Sequence, residues 1–158
     1  MEDFHIVFIG DGTAMRAGRW SDRIRDVCVE LMMKGKRLIF WVDRYETNGR
    51  LFAFAAERLT ESYPEQCCIH NRINCISVRL PDGTVDPYSM GTFWNRNVFV
   101  TALSEAVRME NRETIDRADL LVVYIGEHAG CAARAKEYAQ ERGKRVLDLT
   151  CESHGECW

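Results

Sequence analysis

Short apolar runs alternate with longer segments of helical periodicity, and this alternation is the feature that most constrains the fold of the chain. The clearest run is Asp119–Gly126, in which six consecutive aliphatic or aromatic residues lie between an aspartate and a glycine. Uninterrupted apolar runs are typical of strands that are covered on both faces. The predicted strands are Phe4–Ile9, Arg37–Val42, Cys75–Leu80, Asp119–Gly126 and Arg145–Leu149.

The segments between these strands carry apolar residues at helical spacing. The predicted helices are one from Ser21 to Lys34, Asn48–Tyr63, Phe93 to about Arg108, and Gly130–Arg142, with Glu110–Arg117 either continuing the third helix or forming a separate turn. A turn-rich loop is predicted at Pro81–Gly91. This order predicts an α/β, three-layer Rossmann-like fold with a mostly parallel sheet of about five strands. Ligands of such folds bind beyond the carboxyl ends of the strands, where the strand order reverses.

Length and charge narrow the class of protein further. The chain has 158 residues and a net charge of −3, which fits one domain over residues 1–158 with an irregular tail from about residue 150. We expect neither a nucleic-acid partner, because no basic run is present, nor a membrane span. An acidic N-terminus without a signal-peptide pattern and seven cysteines favour free thiols and a cytoplasmic location. The oligomeric state stays open, and a homo-oligomer is among the possibilities.

Two groups of cysteine and histidine offer metal-ligand chemistry. They are Cys67, Cys68, His70 and Cys75, and the C-terminal Cys151, His154 and Cys157. Neither group has the paired Cys-x-x-Cys spacing that is typical of a zinc site. We therefore predict free thiols, no metal site and no cofactor.

Two glycine turns are the candidate ligand-binding segments. Each follows a predicted strand, and the second leads into a helix whose N-terminal N–H groups suit a phosphate. Arg134 lies one turn into that helix and would add positive charge. The alternative is that both are ordinary turns. The candidate residues are Gly10, Asp11, Gly12 and Thr13 in the first turn, and Gly126, Glu127, His128, Gly130 and Cys131 in the second.

Further candidates lie at the end of the second strand and before the fourth. Asp43 and Arg44 could line the rim of the crevice, where a carboxylate contacts a ribose in nucleotide-binding folds, or form a solvated pair. Asp116 and Asp119 are explained more simply, as a solvated pair with Arg112 and as a cap.

The segment Asn111–Gly126, with Gly130–Ala133 and Tyr138–Ala139, resembles the SLOG superfamily of Rossmann-like proteins. The matching positions are Asn111, Asp116, Asp119, Gly130, Gly143 and Lys144. Gly10, Gly49 and Ala55–Glu57 are similar in order to the YpsA-like branch of that superfamily. The resemblance implies binding of a nucleotide or a nucleotide-derived small molecule that bears a phosphate, with Asn111 and Gly49 among the ligand-binding residues.

The chain departs from the family pattern where related enzymes carry their catalytic acid. Matching Gly130–Cys131 to the Gly-Thr of the LOG enzymes, which cleave a ribose phosphate from a nucleobase, puts Arg134 in the place of the glutamate. Matching Tyr138–Ala139 to the deoxyribosyltransferases puts Ala135 in the place of their nucleophile. Glu110 replaces an arginine that precedes the motif asparagine, and Asp43–Glu46 replaces a Gly-Gly or Ser-Gly pair.

These departures predict a binding protein without an obvious catalytic acid. One alternative is a hydrolase of the N-glycosidic bond, or a deoxyribosyltransferase, that uses a displaced acid such as Glu46, Glu127 or Asp116. Another is a non-catalytic scaffold or partner-binding protein that has lost the ligand.

Overall fold

A computed structural model of the chain describes residues 1–11, 15, 19–44, 47–72, 76–78, 98–100, 103–126 and 130–150. Gly12, Thr13, Glu127 and His128 of the glycine turns, and the predicted loop Pro81–Gly91, lie outside the described residues. The elements are β1 (Glu2–Gly10), α1 (Trp20–Met33), β2 (Lys36–Val42), α2 (Thr47–Ser62), β3 (Cys67–Asn71), β4 (Ile76–Val78), β5 (Val98–Val100), α3 (Leu103–Arg117), β6 (Leu120–Tyr124), α4 (Cys131–Glu141) and β7 (Arg145–Asp148).

Five strands form one parallel sheet in the order β3-β2-β1-β6-β7. Ile6 in β1 is paired with Phe40 in β2 on one side and with Leu120 in β6 on the other. The chain moves outward from β1 to β3 and then returns to place β6 beside β1. The strand order therefore reverses between β1 and β6, and a crevice is expected beyond their carboxyl ends. This architecture confirms the predicted α/β Rossmann-like fold.

Alternating side chains of β1 supply the two halves of the core. Ile6 and Phe8 point to the face covered by α1 and α2, where Phe52 stacks on Phe8. Val7 and Ile9 point to the face covered by α3 and α4. The residues of α4 that face the sheet are Ala132, Ala135 and Ala139, all buried, and their small side chains let the helix lie close to the strands.

The prediction of the third strand was wrong. The third strand of the sheet is Cys67–Asn71, whereas Ile76–Val78 within the predicted Cys75–Leu80 pairs with Val98–Val100 in a separate two-stranded sheet. The edge strand β3 is buried on one face only, through Cys67, so it lacks the continuous apolar run of a central strand.

The predicted helix Phe93–Arg108 was also wrong at its start. Val98–Val100 is a strand, and the helix begins at Leu103 and runs without interruption to Arg117. The run Val-Phe-Val has strong β propensity. The continuation through Glu110–Arg117 is confirmed.

None of the helices in the described part of the chain has the length and apolarity needed to cross a membrane. Within the same residues no group of three metal-ligating side chains comes together. The four described cysteines, Cys28, Cys67, Cys68 and Cys131, are free thiols.

Candidate functional site

The first glycine turn starts at the reversal of strand order. The Asp11 N–H donates to the carbonyl oxygen of Tyr124 at 3.0 Å, which keeps β1 and β6 paired to their ends. The Asp11 carboxylate accepts hydrogen bonds from the N–H groups of Gly126 (3.0 Å) and Ala132 (3.1 Å). Ala132 is the second residue of α4, so this carboxylate occupies part of the N-terminus of that helix.

This contact changes the prediction for the second glycine turn. The positive end of the α4 dipole and one of its free N–H groups already stabilise the anionic Asp11. A phosphate placed beside the same N–H groups would meet a negative charge at close range. The turn at Gly126 and Gly130 is therefore tied to β1 by the chain itself.

Gly10 is required by packing. A Cβ atom at this position would lie 2.8 Å from the Phe8 ring and 3.2 Å from the Asn48 Cβ. Asn48 is fully buried at the start of α2; its amide donates to the Asp11 carbonyl at 2.6 Å and accepts from the Met15 N–H at 2.7 Å. Gly49, a residue of the SLOG resemblance, follows Asn48 in α2. The start of α2 therefore contacts the first glycine turn through the Asn48 side chain.

A groove between α3 and α4 brings together three of the candidate residues, Asn111, Cys131 and Arg134. Its volume is about 330 Å³. Both helices run from the carboxyl-end edge of the sheet towards its other edge, since each precedes a parallel strand. The lining residues are Arg108, Asn111, Arg112 and Ile115 from α3, and Cys131, Arg134, Ala135, Glu137, Tyr138 and Glu141 from α4.

Arginines dominate the end of this groove that lies nearest the crevice. Arg108 comes from the first half of α3 and Arg134 from the first turn of α4, and neither has an ion pair within the described part of the chain. Arg112 is one helical turn further on, with its guanidinium 5.1 Å from the centre of the Tyr138 ring. Unpaired guanidinium groups around a cavity suit an anionic ligand.

Tyr138 lines the groove and is bonded to Asp116, which is not among the lining residues. The Tyr138 hydroxyl donates to the Asp116 carboxylate at 2.9 Å, and Arg142 donates to the same carboxylate at 3.1 Å. Burial of the phenol and the nearby carboxylate raise the pKa of Tyr138. The expected pair of Asp116 with Arg112 is replaced by these contacts, since Arg112 lies over the ring of Tyr138 instead.

Asp119 lies at the opposite edge of the sheet from the crevice. Its carboxylate accepts from the His5 N–H at 2.7 Å, and its own N–H donates to the His5 carbonyl at 2.8 Å. It therefore extends the pairing of β1 with β6 at their amino ends, which fits the capping role. Of the three motif residues Asn111, Asp116 and Asp119, the structure places only the first inside the groove.

The candidates after β2 lie away from the groove. Arg44 donates to Glu57 of α2 at 2.6 Å and to the side chain of Asn71 of β3 at 3.0 Å. Asp43 precedes it at the same end of β2. These contacts hold the β2 end against its neighbours, so Asp43 and Arg44 do not join Asn111 and Arg134.

A buried ion pair beside the groove was missed by the sequence analysis. Arg72, which follows β3, pairs with Glu110 of α3, and their side chains are only 5% and 6% exposed. The Thr114 hydroxyl also donates to Glu110, at 3.1 Å, and Arg72 donates to the Phe8 carbonyl at 3.4 Å. The one sequence signal was the acidic Glu110 in the place of a family arginine.

The comparison of the sequence with models of protein families and with curated proteins found no match. The resemblance to the SLOG superfamily therefore stays a prediction.

Proposed function

We propose that this protein binds a nucleotide, or a nucleotide-derived small molecule that bears a phosphate, and does not turn it over. The observation that carries this proposal is the groove between α3 and α4, where Arg108 and Arg134 face a cavity of about 330 Å³ without an ion pair among the described residues. This volume is at the lower end of the range of about 300–1,000 Å³ for small-molecule sites. It suits a mononucleotide better than a dinucleotide.

The phosphate lies in the groove and not on the N-terminus of α4. The Asp11 carboxylate already bonds to the Ala132 N–H there. Arg134 lies two residues further along the helix, where its fork of N–H donors can hold two phosphate oxygens. Asn111 lies on the opposite wall and adds an amide donor.

The lack of turnover follows from the residues at the positions of the family acids. Ala135, which lies at one of these positions, lines the groove and has no reactive group. Asp116, one of the acids that a displaced mechanism would use, is bonded to both Tyr138 and Arg142. A glycosidic-bond enzyme would need a free carboxylate at the sugar, and the two glutamates that line the groove, Glu137 and Glu141, lie at neither of the family positions.

A thermal-shift and calorimetric panel tests this proposal. The purified protein is titrated with nucleoside monophosphates, sugar phosphates and free nucleobases. A ligand at 100 times its dissociation constant adds about 2.7 kcal/mol to the free energy of unfolding, which raises Tm by roughly 5–10 °C in a domain of this size. Release of free base is followed by chromatography in the same samples.

Two arginine variants separate the groove from general charge effects. Arg134→Ala should strongly reduce the shift at the same ligand concentration, whereas Arg58→Ala, which removes an exposed arginine of α2, should leave it unchanged. A panel with no shift for any compound would contradict the proposal. Release of base from a nucleotide would contradict the lack of turnover and favour the glycosidic-bond enzyme.

A further inference from the structure

The groove is also polarised along its length. Arg134, Glu137 and Glu141 follow one another at positions i, i+3 and i+7 and therefore form one stripe of α4. At 1.5 Å per residue, Glu141 lies about 10 Å further along the helix axis than Arg134. All three line the cavity, so its charge changes from positive near the crevice to negative further along.

The two glutamates are available to a ligand. Glu137 is spaced to pair with Arg134 within the helix, yet within the described residues neither Glu137 nor Glu141 forms an ion pair. Arg112 between the two ends is directed at the Tyr138 ring. The carboxylates therefore present unshared acceptor oxygens to the groove.

A carboxylate can only accept hydrogen bonds when it is ionised. A ligand with its phosphate at Arg108 and Arg134 extends its other end towards the glutamates. A hydrogen-bond donor is favourable there, whereas a carbonyl oxygen would face a second acceptor and a negative charge. The charge pattern therefore suits a ligand that is anionic at one end and a donor at the other.

We infer that Glu137 and Glu141 select the base, and that the groove prefers a nucleoside monophosphate whose base carries an exocyclic amino group. This inference rests on the proposed function and adds the determinant of specificity. A hydrogen bond to a charged acceptor contributes enough to change affinity by roughly ten- to a hundred-fold. We expect the lower part of that range, since both glutamates are exposed.

Matched nucleotide pairs test the inference by isothermal titration calorimetry. Adenosine and inosine monophosphates differ by an amino group in place of a carbonyl oxygen, as do cytidine and uridine monophosphates. In each pair the neighbouring ring nitrogen is an acceptor in the amino member and an N–H donor in the other. The wild-type protein should bind the amino member of each pair at least about ten-fold more tightly. The double variant Glu137→Gln/Glu141→Gln should lose most of this ratio, because a glutamine amide both donates and accepts.

Further variants assign the effect to the groove. Arg134→Ala should weaken all four nucleotides by a similar factor and keep the ratio within each pair. Glu61→Gln, which changes an exposed acid of α2, should alter neither affinity nor ratio. The Tm of each unliganded variant shows that it is folded, and the changed side chains are all exposed.

The outcomes distinguish the two proposals. Equal affinity for both members of each pair in the wild type, or a ratio that survives in the double variant, would overturn the role of the glutamates and leave the binding function intact. Failure of all four nucleotides, together with the rest of the panel, would remove the binding function and this inference with it.

Discussion

The variant Glu110→Ala should be among the most destabilising single substitutions in the chain. It would remove one partner of the buried pair with Arg72, whose side chain is only 5% exposed. It would also remove the hydrogen-bond acceptor of the Thr114 hydroxyl, and Thr114 is fully buried. The remaining Arg72 guanidinium would keep its hydrogen bond to the Phe8 carbonyl at 3.4 Å, and its Nε has no hydrogen-bond partner among the described residues.

The magnitude follows from the cost of an uncompensated buried charge. Removal of one partner from a buried ion pair costs about 3–5 kcal/mol. In a domain of this size this corresponds to a decrease in Tm of roughly 6–20 °C. Replacement of both partners, as Arg72→Met/Glu110→Leu, should recover much of the loss because no charge is then left buried.

Urea denaturation followed by circular dichroism measures these differences. Glu30→Ala is the matched control, because it breaks an ion pair with Lys34 in which both side chains are at least half exposed. The control should lose little stability, since exposed pairs contribute little. A loss for Glu110→Ala as small as that of the control, or a double variant no more stable than the single one, would refute an uncompensated buried charge as the cause of the loss.

Asp148 and the cysteines give two further predictions. Burial alone would raise the pKa of Asp148, but hydrogen bonds from Lys136 and Thr150 outweigh it and hold that pKa below its usual value. The free energy that this ionised carboxylate adds to folding is present above the pKa of aspartate in the unfolded chain and is lost as pH falls below about 4. In Asp148→Asn the free energy of unfolding should therefore depend less on pH in acid than in the wild type. Parallel curves of unfolding free energy against pH for the two proteins would contradict this. Burial raises the pKa of the Cys67 thiol to about 11, so iodoacetamide at neutral pH should label the exposed Cys131 and spare Cys67, as peptide mass mapping would show. Similar labelling of both in the native protein would refute this.

The parallel sheet could be predicted from the sequence because its central strands are covered on both faces. The apolar runs that become β1, β2 and β6 need no knowledge of their neighbours to be recognised. β3 could not be found in this way, since only Cys67 of its five residues is buried. The identity of an edge strand depends on which chain segment reaches the side of β2, and that is a tertiary property.

The site was predictable in part. Asn111 was chosen from the resemblance, and Cys131 and Arg134 were chosen from the second glycine turn and the helix after it; all three lie in one groove. The role of Asp11 was not predictable, because its acceptor oxygens bond to N–H groups that lie 115 and 121 residues away along the chain. The pair of Glu110 with Arg72 was not predictable for the same reason, since the two residues are 38 positions apart in the sequence.

The two charges that differ from the pattern of the SLOG resemblance have different surroundings in this structure. Glu110 introduces a negative charge next to the groove, but Arg72 neutralises it within the protein. Arg134 introduces a positive charge that no described residue pairs with, on the wall of the groove. Since Asp11 holds the N-terminus of α4, an anion is favoured beside Arg134 more than at the helix end. In the proposed function Arg134 attracts the phosphate, whereas an acidic residue in the same place would repel it.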